Sequence, residues 1–310
     1  MFLIPYATAE GLAAEVQPDK VQESSRARSP LANLVARYAR SKDYHGVIKR
    51  RLTKVFDELS AGEFRYRVVV DSVPFLDRAH AQIARLGFVG RNTMLIRPGL
   101  GSYFFIASVL TDAPVERFGR AAAAPAAARR LEDWGCATCD LCVRACPTGA
   151  LLGDYTMDAR RCLSYWSIEH RGPAPDTFVG AFRESFFGCD VCQEVCPYNL
   201  RPRVRASAGP WGEFAETSAA LGQLTLRDVA TMSPRDYETW FGGLPLTRAK
   251  YPGLVRNALY ALLALGDLES LRGALDHWEQ RLVHSGEPAE DASEAALREV
   301  VDQVRRLSGA

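Results

Sequence analysis

The sequence predicts an α+β chain in three parts: a mixed strand-and-helix domain, a cysteine-rich module and a helical tail. Three observations carry that prediction. Residues 1–112 alternate β-branched runs with helical apolar spacing, all eight cysteines fall between Cys136 and Cys196, and from about residue 224 the apolar pattern is helical throughout. At 310 residues the chain is long enough for several such units.

In order along the chain, Phe2-Leu3-Ile4-Pro5-Tyr6 reads as a buried strand. Leu31 to Leu59 has helical spacing, with Tyr38, Ile48, Leu52, Val55, Phe56 and Leu59 as its apolar positions. Tyr66 to Val70 is a β-branched run expected to form an interior strand. Val73 to Leu86 returns to helical period, and Gly87, Gly90 and Pro98-Gly99 then punctuate the chain. Tyr103 to Leu110 is a strand or a buried helix, which periodicity leaves open. The first domain is thus placed at 1–112. A linker is expected at 113–135, where the alanine run Ala121 to Ala128 is broken by Pro125. The cysteine module takes 136–203 and the tail 204–310. Within the tail, Leu224–Met232, Asp236–Phe241, Gly253–Leu265, Leu268–Leu282 and Ala292–Leu307 are expected helices. Two segments, each a pair of short helices, suggest a HEAT-like helical-repeat module.

Formal net charge is +1, so nucleic acid or membrane would have to be met by a local patch rather than a global field. One candidate runs from Arg26 to Lys54, with Arg28, Arg37, Arg40, Lys42, Lys49, Arg50 and Arg51 inside it and Tyr38 and Tyr44 interleaved. Such a stretch suits phosphates and stacked bases, or is simply a solvated helix face. In the tail, Arg248, Lys250 and Arg256 could reach an RNA backbone, whereas the acidic end from Glu287 to Asp302 should face away. No run approaches about 18 apolar residues, and no basic leader precedes an apolar core. The expected location is the cytoplasm, the expected state a monomer without membrane contact. In that compartment, clustered cysteines point to metal rather than disulfides.

The cysteines form two blocks. The first is Cys136-x2-Cys139-x2-Cys142-x3-Cys146-Pro147, the bacterial ferredoxin run that gives three thiolates to one 4Fe–4S cubane and the fourth to another. The second, Cys189-x2-Cys192-x3-Cys196-Pro197, is the same motif with its first ligand displaced upstream to Cys162. Crossing assigns Cys136, Cys139, Cys142 and Cys196 to one cluster, and Cys146, Cys162, Cys189 and Cys192 to the other. Paired zinc sites share the Cys-x2-Cys element but do not explain the full run. Two adjacent cubanes pass single electrons, so a further redox centre and an external low-potential electron donor are expected.

The flanking residues are more specific. Asp158 to His170 and Gly188 to Asn199 closely resemble epoxyqueuosine reductases. So do Arg37-Tyr38-Ala39-Arg40, Asp43-Tyr44-His45, Val70-Asp71-Ser72-Val73-Pro74 and Leu86 to Thr93. The resemblance continues through Gly101 to Phe105 and Leu110-Thr111-Asp112, and ends at Leu254-Val255-Arg256-Asn257-Ala258. It implies an N-terminal corrin-binding-like α/β domain, the two-cluster module and a helical-repeat tail gripping RNA. The implied activity reduces epoxyqueuosine to queuosine at the wobble position of the tRNA anticodon stem-loop, with cobalamin fed by the two 4Fe–4S clusters. Family members carry a further stretch ahead of Phe2–Tyr6, so the resemblance also implies a shortened N-terminus. Asp77, Phe88 and Arg91 stand where the family usually has Glu, Trp and Lys. By the same resemblance Asp71 is the proton donor. Tyr38, His45, Asn92, Thr93, Ser164 and Tyr165 are the candidate cofactor-binding residues; His45 alone reads more readily as a structural histidine than as one facing the corrin or the substrate base. A carboxyl beneath a corrin should have a raised pKa. Without the resemblance, Asp71 reads more readily as a cap for a helix starting near Pro74 than as an acid. Two other readings share parts of the pattern: a reductive-dehalogenase-like corrinoid reductase, and a corrin-free two-cluster electron-transfer protein.

Overall fold

The computed structural model describes residues 1–7, 30–114, 116, 134–200, 210–284 and 292–309. Most of the expected linker, Arg26, Arg28 and the boundary near 203 lie outside the described residues.

The first domain is a three-stranded antiparallel sheet ordered β1 (Phe2–Pro5), β5 (Phe104–Thr111), β2 (Tyr66–Val69). Phe2 lies opposite Ala107 and Tyr66 opposite Thr111, so β5 is central and both partners are edges. The run from Tyr103 is therefore a strand: β-branched and aromatic residues on a doubly paired strand bury both faces. A two-stranded ladder, β3 (Phe88–Val89) with β4 (Leu95–Ile96), lies beside it.

The helical spacing from Leu31 to Leu59 resolves into two 3-10 turns, Leu31–Leu34 and Arg37–Ala39, followed by helix α1 (Tyr44–Ser60). The break has a local cause: Asp43 caps α1, its carboxylate accepting the His45 backbone N–H at 3.0 Å. Val47, Ile48, Leu52 and Phe56 then form the buried stripe against the sheet. The segment expected to be helical from Val73 is helix α2 (Asp77–Ile83) only, since Pro74 disfavours helix for the residue before it.

In the cysteine module, two short helices, α3 (Leu141–Ala145) and α4 (Val191–Glu194), pack together. After Cys162 the chain makes a π-helical turn at Tyr165–Glu169, a rare geometry that concentrates at functional positions.

The tail contains α5 (Leu226–Ala230), α6 (Pro234–Phe241), α7 (Lys250–Leu265), α8 (Leu268–His284) and α9 (Ala292–Ser308). Capping boxes at Thr225/Asp228 and Ser233/Asp236 start α5 and α6. Helix α7 is buried nearly all round, with Leu254, Val255, Leu259, Leu262 and Leu265 in the core. Each such side chain contributes roughly 1.5–3 kcal/mol. That core also takes in Leu31, Leu34 and Val35 from the first part and Phe182, Phe186 and Phe187 from the second. One continuous core thus joins all three parts and fixes the loops before Cys189. Among the described residues no helix is long and apolar enough to cross a membrane.

Candidate active site and cluster module

Asp71 follows β2 in a tight turn. The Ser72 N–H donates to the Val70 carbonyl at 2.5 Å, and Asp71 takes φ +48°. Few side chains adopt that conformation, and Asp is among those that tolerate it. Such strain clusters at functional positions. The carboxylate does not cap a helix: α2 begins at Asp77 behind Leu76, with no side-chain cap. Instead, Asp71 Oδ2 accepts the Tyr44 hydroxyl and lies 3.6 Å from His45 Nε2. The other ring nitrogen, Nδ1, lies 2.8 Å from Asp43 Oδ1. Tyr44 stacks on His45 with centroids 4.1 Å apart and on Phe105 at 4.2 Å. The first turn of α1 therefore presents a carboxylate–imidazole–carboxylate chain ending at Asp71.

The electrostatics reverse one expectation. The bond from His45 holds the Asp71 carboxyl below its ordinary value; burial opposes this and is outweighed. In the chain by itself the hydrogen-bonding His45 decides the direction, and the raised value expected beneath a corrin does not obtain there. Asp43 first, then Asp71, lift His45 from 6.5 to about 9. At neutral pH the proton of this group rests on His45.

Other expected site residues are spread around the cysteine module. Tyr38 lies between the two centres, its ring 6.1 Å from that of Tyr44 and 6.4 Å from that of Phe187. A Cβ on Gly188, next to Cys189, would sit 3.5 Å from the same ring. Tyr38 and Tyr44 are packed rather than open to stack on bases, which corrects that reading. Asn92 is buried and donates to the Cys192 carbonyl at 3.3 Å, while Thr93 Oγ1 lies 3.4 Å from Met157 Sδ. Ser164 and Tyr165 enter the π-helical turn, with the Tyr165 ring 6.0 Å from that of His170. Asn92 and Thr93 thus brace the cysteine loops, apart from the Asp71 group.

Cys136, Cys139, Cys142 and Cys196 line one cavity of about 380 Å³ with Arg91, Trp134 and Tyr198. Burial pushes the Cys142 thiol up, helped by Cys136 and Cys196. Burial does the same to Cys189, where Cys162 and Cys146 add to it. Backbone N–H groups aim at sulfur: Arg91 at Cys136 and Ala150 at Cys146, each at 3.3 Å. Among the described residues no group of three or more His, Cys, Asp or Glu side chains is drawn together tightly enough to hold a single metal ion.

Residues not foreseen also converge here. Arg248 from the tail pairs with Glu169 of the π-helical turn at 3.0 Å, and its charge reaches Asp71. Asp43 was named only within the Asp43-Tyr44-His45 resemblance, inside a stretch read as one helical run; an acidic residue just ahead of a helix start, the usual cap signal, is what could have placed it. Arg256 is not available to RNA: it is 1% exposed and donates to the carbonyls of Trp166, His170 and Gly172 at 2.6, 2.9 and 2.8 Å. Arg37 is buried as well, against Asp190 and Glu194. Lys49, Arg50 and Lys54 remain on the outer face of α1, around an open notch that also holds Asp57 and Glu58.

Two family models match the chain: epoxyqueuosine reductase QueG, DUF1730, over residues 4–72, and a 4Fe-4S double cluster binding domain over residues 135–199. The epoxyqueuosine reductase of Pseudomonas aeruginosa is 34% identical over 272 residues, covering 87% of this chain and 70% of the relative. The chain belongs to the epoxyqueuosine reductase family. The enzyme of that name from Burkholderia pseudomallei is also 34% identical, over 82% of this chain but 60% of the relative. The chain therefore spans between three-fifths and seven-tenths of these two proteins. Among solved structures, the epoxyqueuosine reductase from Streptococcus thermophilus superposes with a TM-score of 0.63 at 25% identity, covering 97% of this chain and 80% of that one. An epoxyqueuosine reductase crystallised with an epoxyqueuosine-modified tRNA-Tyr stem loop shares the fold, with a TM-score of 0.69 at 22% identity, over 100% of this chain and 80% of its own. So does the enzyme from Bacillus subtilis with its catalytic aspartate loop swung out of the active site, with a TM-score of 0.66 at 23% identity, over 97% and 80%.

Proposed function

We propose that this chain reduces epoxyqueuosine to queuosine in the anticodon stem-loop of tRNA, using cobalamin and two 4Fe–4S clusters. One observation carries the reading: the Asp43–His45–Asp71–Tyr44 group connects through Tyr38 to the loop before Cys189, in a chain of this family whose residues 135–199 match a double 4Fe–4S cluster domain. The relatives' names supply the substrate, and the stem loop bound by one structural neighbour supports the RNA partner.

The cluster assignment rests on the two cysteine sets: Cys136, Cys139, Cys142 and Cys196 for one, Cys146, Cys162, Cys189 and Cys192 for the other. All-thiolate donor sets with backbone N–H groups aimed at sulfur suit cubanes. For cobalamin, two features beside Asp71 fit a large amphipathic ring with peripheral amides. Leu76 is 72% exposed, and Asp77 Oδ1 is buried without a partner, ready to accept an amide N–H. Leu76 and Asp77 would hold it, and when bound it supplies a strongly reducing cobalt centre.

The chain's own residues then handle protons. Releasing an epoxide oxygen as water and leaving an alkene takes two electrons and two protons. Asp71, ionised at rest, has none to give until one arrives from His45 Nε2, whose imidazolium holds it at neutral pH. Asp43 keeps the ring turned with Nε2 toward Asp71. Tyr44 donates to Asp71 and fixes the carboxylate without losing its own proton, since burial and Asp71 hold the phenol far above its ordinary value. The second proton comes by recharging His45, which is partly open to water. The tail, which we read as HEAT-like, braces the module through Arg256 and brings Arg248 to the rim.

The test is anaerobic reconstitution with iron, sulfide and cobalamin, then incubation with an epoxyqueuosine-containing stem-loop and a chemical reductant. Digested RNA analysed by mass should show loss of one oxygen atom. Protein holding both clusters and cobalamin that leaves the nucleoside unchanged would refute the reading. Dehalogenation of an organohalide would favour the dehalogenase alternative, and clusters without corrin uptake would favour electron transfer alone.

A further inference from the structure

Arg37 belongs to the basic stretch, yet its side chain is only 8% exposed, in the seam between the first domain and the cysteine module. The seam is in backbone contact. Val35 bridges Phe187, the Ala36 N–H donates to the Phe187 carbonyl at 2.8 Å, and a Cβ on Gly188 would meet Ala36 Cβ at 2.6 Å. Cys189 comes next. The Arg37 backbone N–H donates to Asp190 Oδ2 at 2.8 Å, and Nη1 reaches the same oxygen at 3.4 Å. Nη1 also donates to Glu194 Oε1 at 2.7 Å and to the Tyr103 hydroxyl at 3.3 Å. Asp190 stands between Cys189 and Cys192 in sequence, and Glu194 between Cys192 and Cys196. The guanidinium is thus locked against a loop that carries three cysteines and two carboxyl groups.

Closing a seam does not require a charge, since well-packed apolar residues do it without the desolvation cost of a buried ion. What a buried guanidinium adds is a fixed field in a low-dielectric region. Reducing a 4Fe–4S cluster adds negative charge, and its potential depends on surrounding charge, hydrogen bonds and burial. A cation beside the loop favours reduction, and nearby carboxylates oppose it.

We propose that Arg37 is a positioning residue that raises the reduction potential of the cluster held by Cys146, Cys162, Cys189 and Cys192, by offsetting Asp190 and Glu194; this rests on the two-cluster reading above. Cys189 follows Gly188, which packs against Tyr38, so a cluster held there would lie on the side facing Asp71 and its potential would govern electron delivery toward that site.

The full chain, reconstituted anaerobically, is titrated redox-wise with both clusters monitored by electron paramagnetic resonance. In Arg37→Met one cluster should fall by about 59 mV or more, a tenfold change in its reduction equilibrium, while the other stays put. Arg37→Lys should recover most of that shift. Unchanged potentials, an equal fall in both clusters, or identical behaviour of the Lys and Met variants would overturn the proposal. If Arg37→Met fails to hold both clusters, Glu194→Gln decides: removing a half-exposed carboxylate should raise the same cluster's potential, and no rise overturns the idea. A wild-type chain binding fewer than two clusters would refute the two-cluster reading itself, and the proposal with it.

Discussion

Replacing Asp43 by Asn removes a charge while keeping an oxygen to cap α1 and accept from His45. Asp43 is the largest of the influences that lift His45 from 6.5 to about 9, with Asp71 second. The gap between those values corresponds to about 3.4 kcal/mol at 1.36 kcal/mol per pH unit. His45 is 36% exposed, so solvent screening reduces this to roughly half. Asp43 holds the larger share, about 1–1.5 kcal/mol, and its loss should lower the His45 pKa by about one unit. The assay is the single-turnover rate of reconstituted protein on modified stem-loop between pH 6 and 10. Protonated His45 is the competent form, so the wild-type rate should hold at low pH and fall as pH rises through about 9. In Asp43→Asn that alkaline limb should lie about one pH unit lower, with little change in the plateau at pH 6. The linked stability has the same sign: a raised histidine pKa stabilises below 6.5, and the effect is lost as pH rises through about 9. The variant's melting temperature should therefore drop at pH 6 and much less at pH 10. An alkaline limb that stays in place or moves upward in Asp43→Asn would refute His45 as the proton store.

Asp71→Asn should keep both clusters, seen in the visible spectrum, while turnover falls by about 10²–10⁴-fold; near-normal turnover removes Asp71 from the proton path. Cys196→Ser should abolish the cluster of Cys136, Cys139 and Cys142 and spare the other, and Cys146→Ser should do the reverse. Resonance spectra of the remaining cluster would expose uncrossed wiring. Arg256→Met leaves the carbonyls of Trp166, His170 and Gly172 without that donor and should cost about 2–4 kcal/mol, read as a lowered melting temperature.

The cluster module was legible because its information is local. Thiolate ligands must recur at short spacing to wrap a cube, so Cys136 to Cys146 declares its chemistry within eleven residues of sequence. The strands were half plain: the β-branched run from Tyr66 forms a strand, though an edge and not the interior one expected, while Tyr103–Leu110 stayed open between strand and helix because a continuous apolar run has no distinguishing period. Long-range pairing was not readable. Arg37 and Arg256 look like RNA-facing cations in a basic stretch and before a helix, yet both are drawn inward by carbonyls and carboxylates more than 80 residues away in sequence. The direction of the Asp71 pKa in the chain by itself was hidden for the same reason, since it depends on His45, twenty-six residues upstream and 3.6 Å away. Helix lengths erred where a cap or proline overrode apolar period, as at Asp43 and Pro74.

The placement of Tyr38 explains why the three parts share one core. In the proposed function protons are handled at the start of α1 and electrons at the loop before Cys189, and these elements meet where Tyr38 packs between Tyr44 and Phe187. A separation set by a flexible hinge would vary, and charge transfer would vary with it. Here Leu31, Leu34 and Val35 lie in the same buried cluster as Phe186, Phe187 and the residues of α7. Close-packed interiors resist sliding, so the tail keeps the proton site and the electron site at a fixed distance. Arg256 and Asn257 extend that control to the other cysteine arm, binding the carbonyls of Trp166 and Ser167 in the π-helical turn after Cys162. A tail that only gripped RNA would need only a basic outer face; if Cys162 is a cluster ligand as proposed, a buried Arg–Asn pair aimed at the turn after it ties the tail to the redox centre.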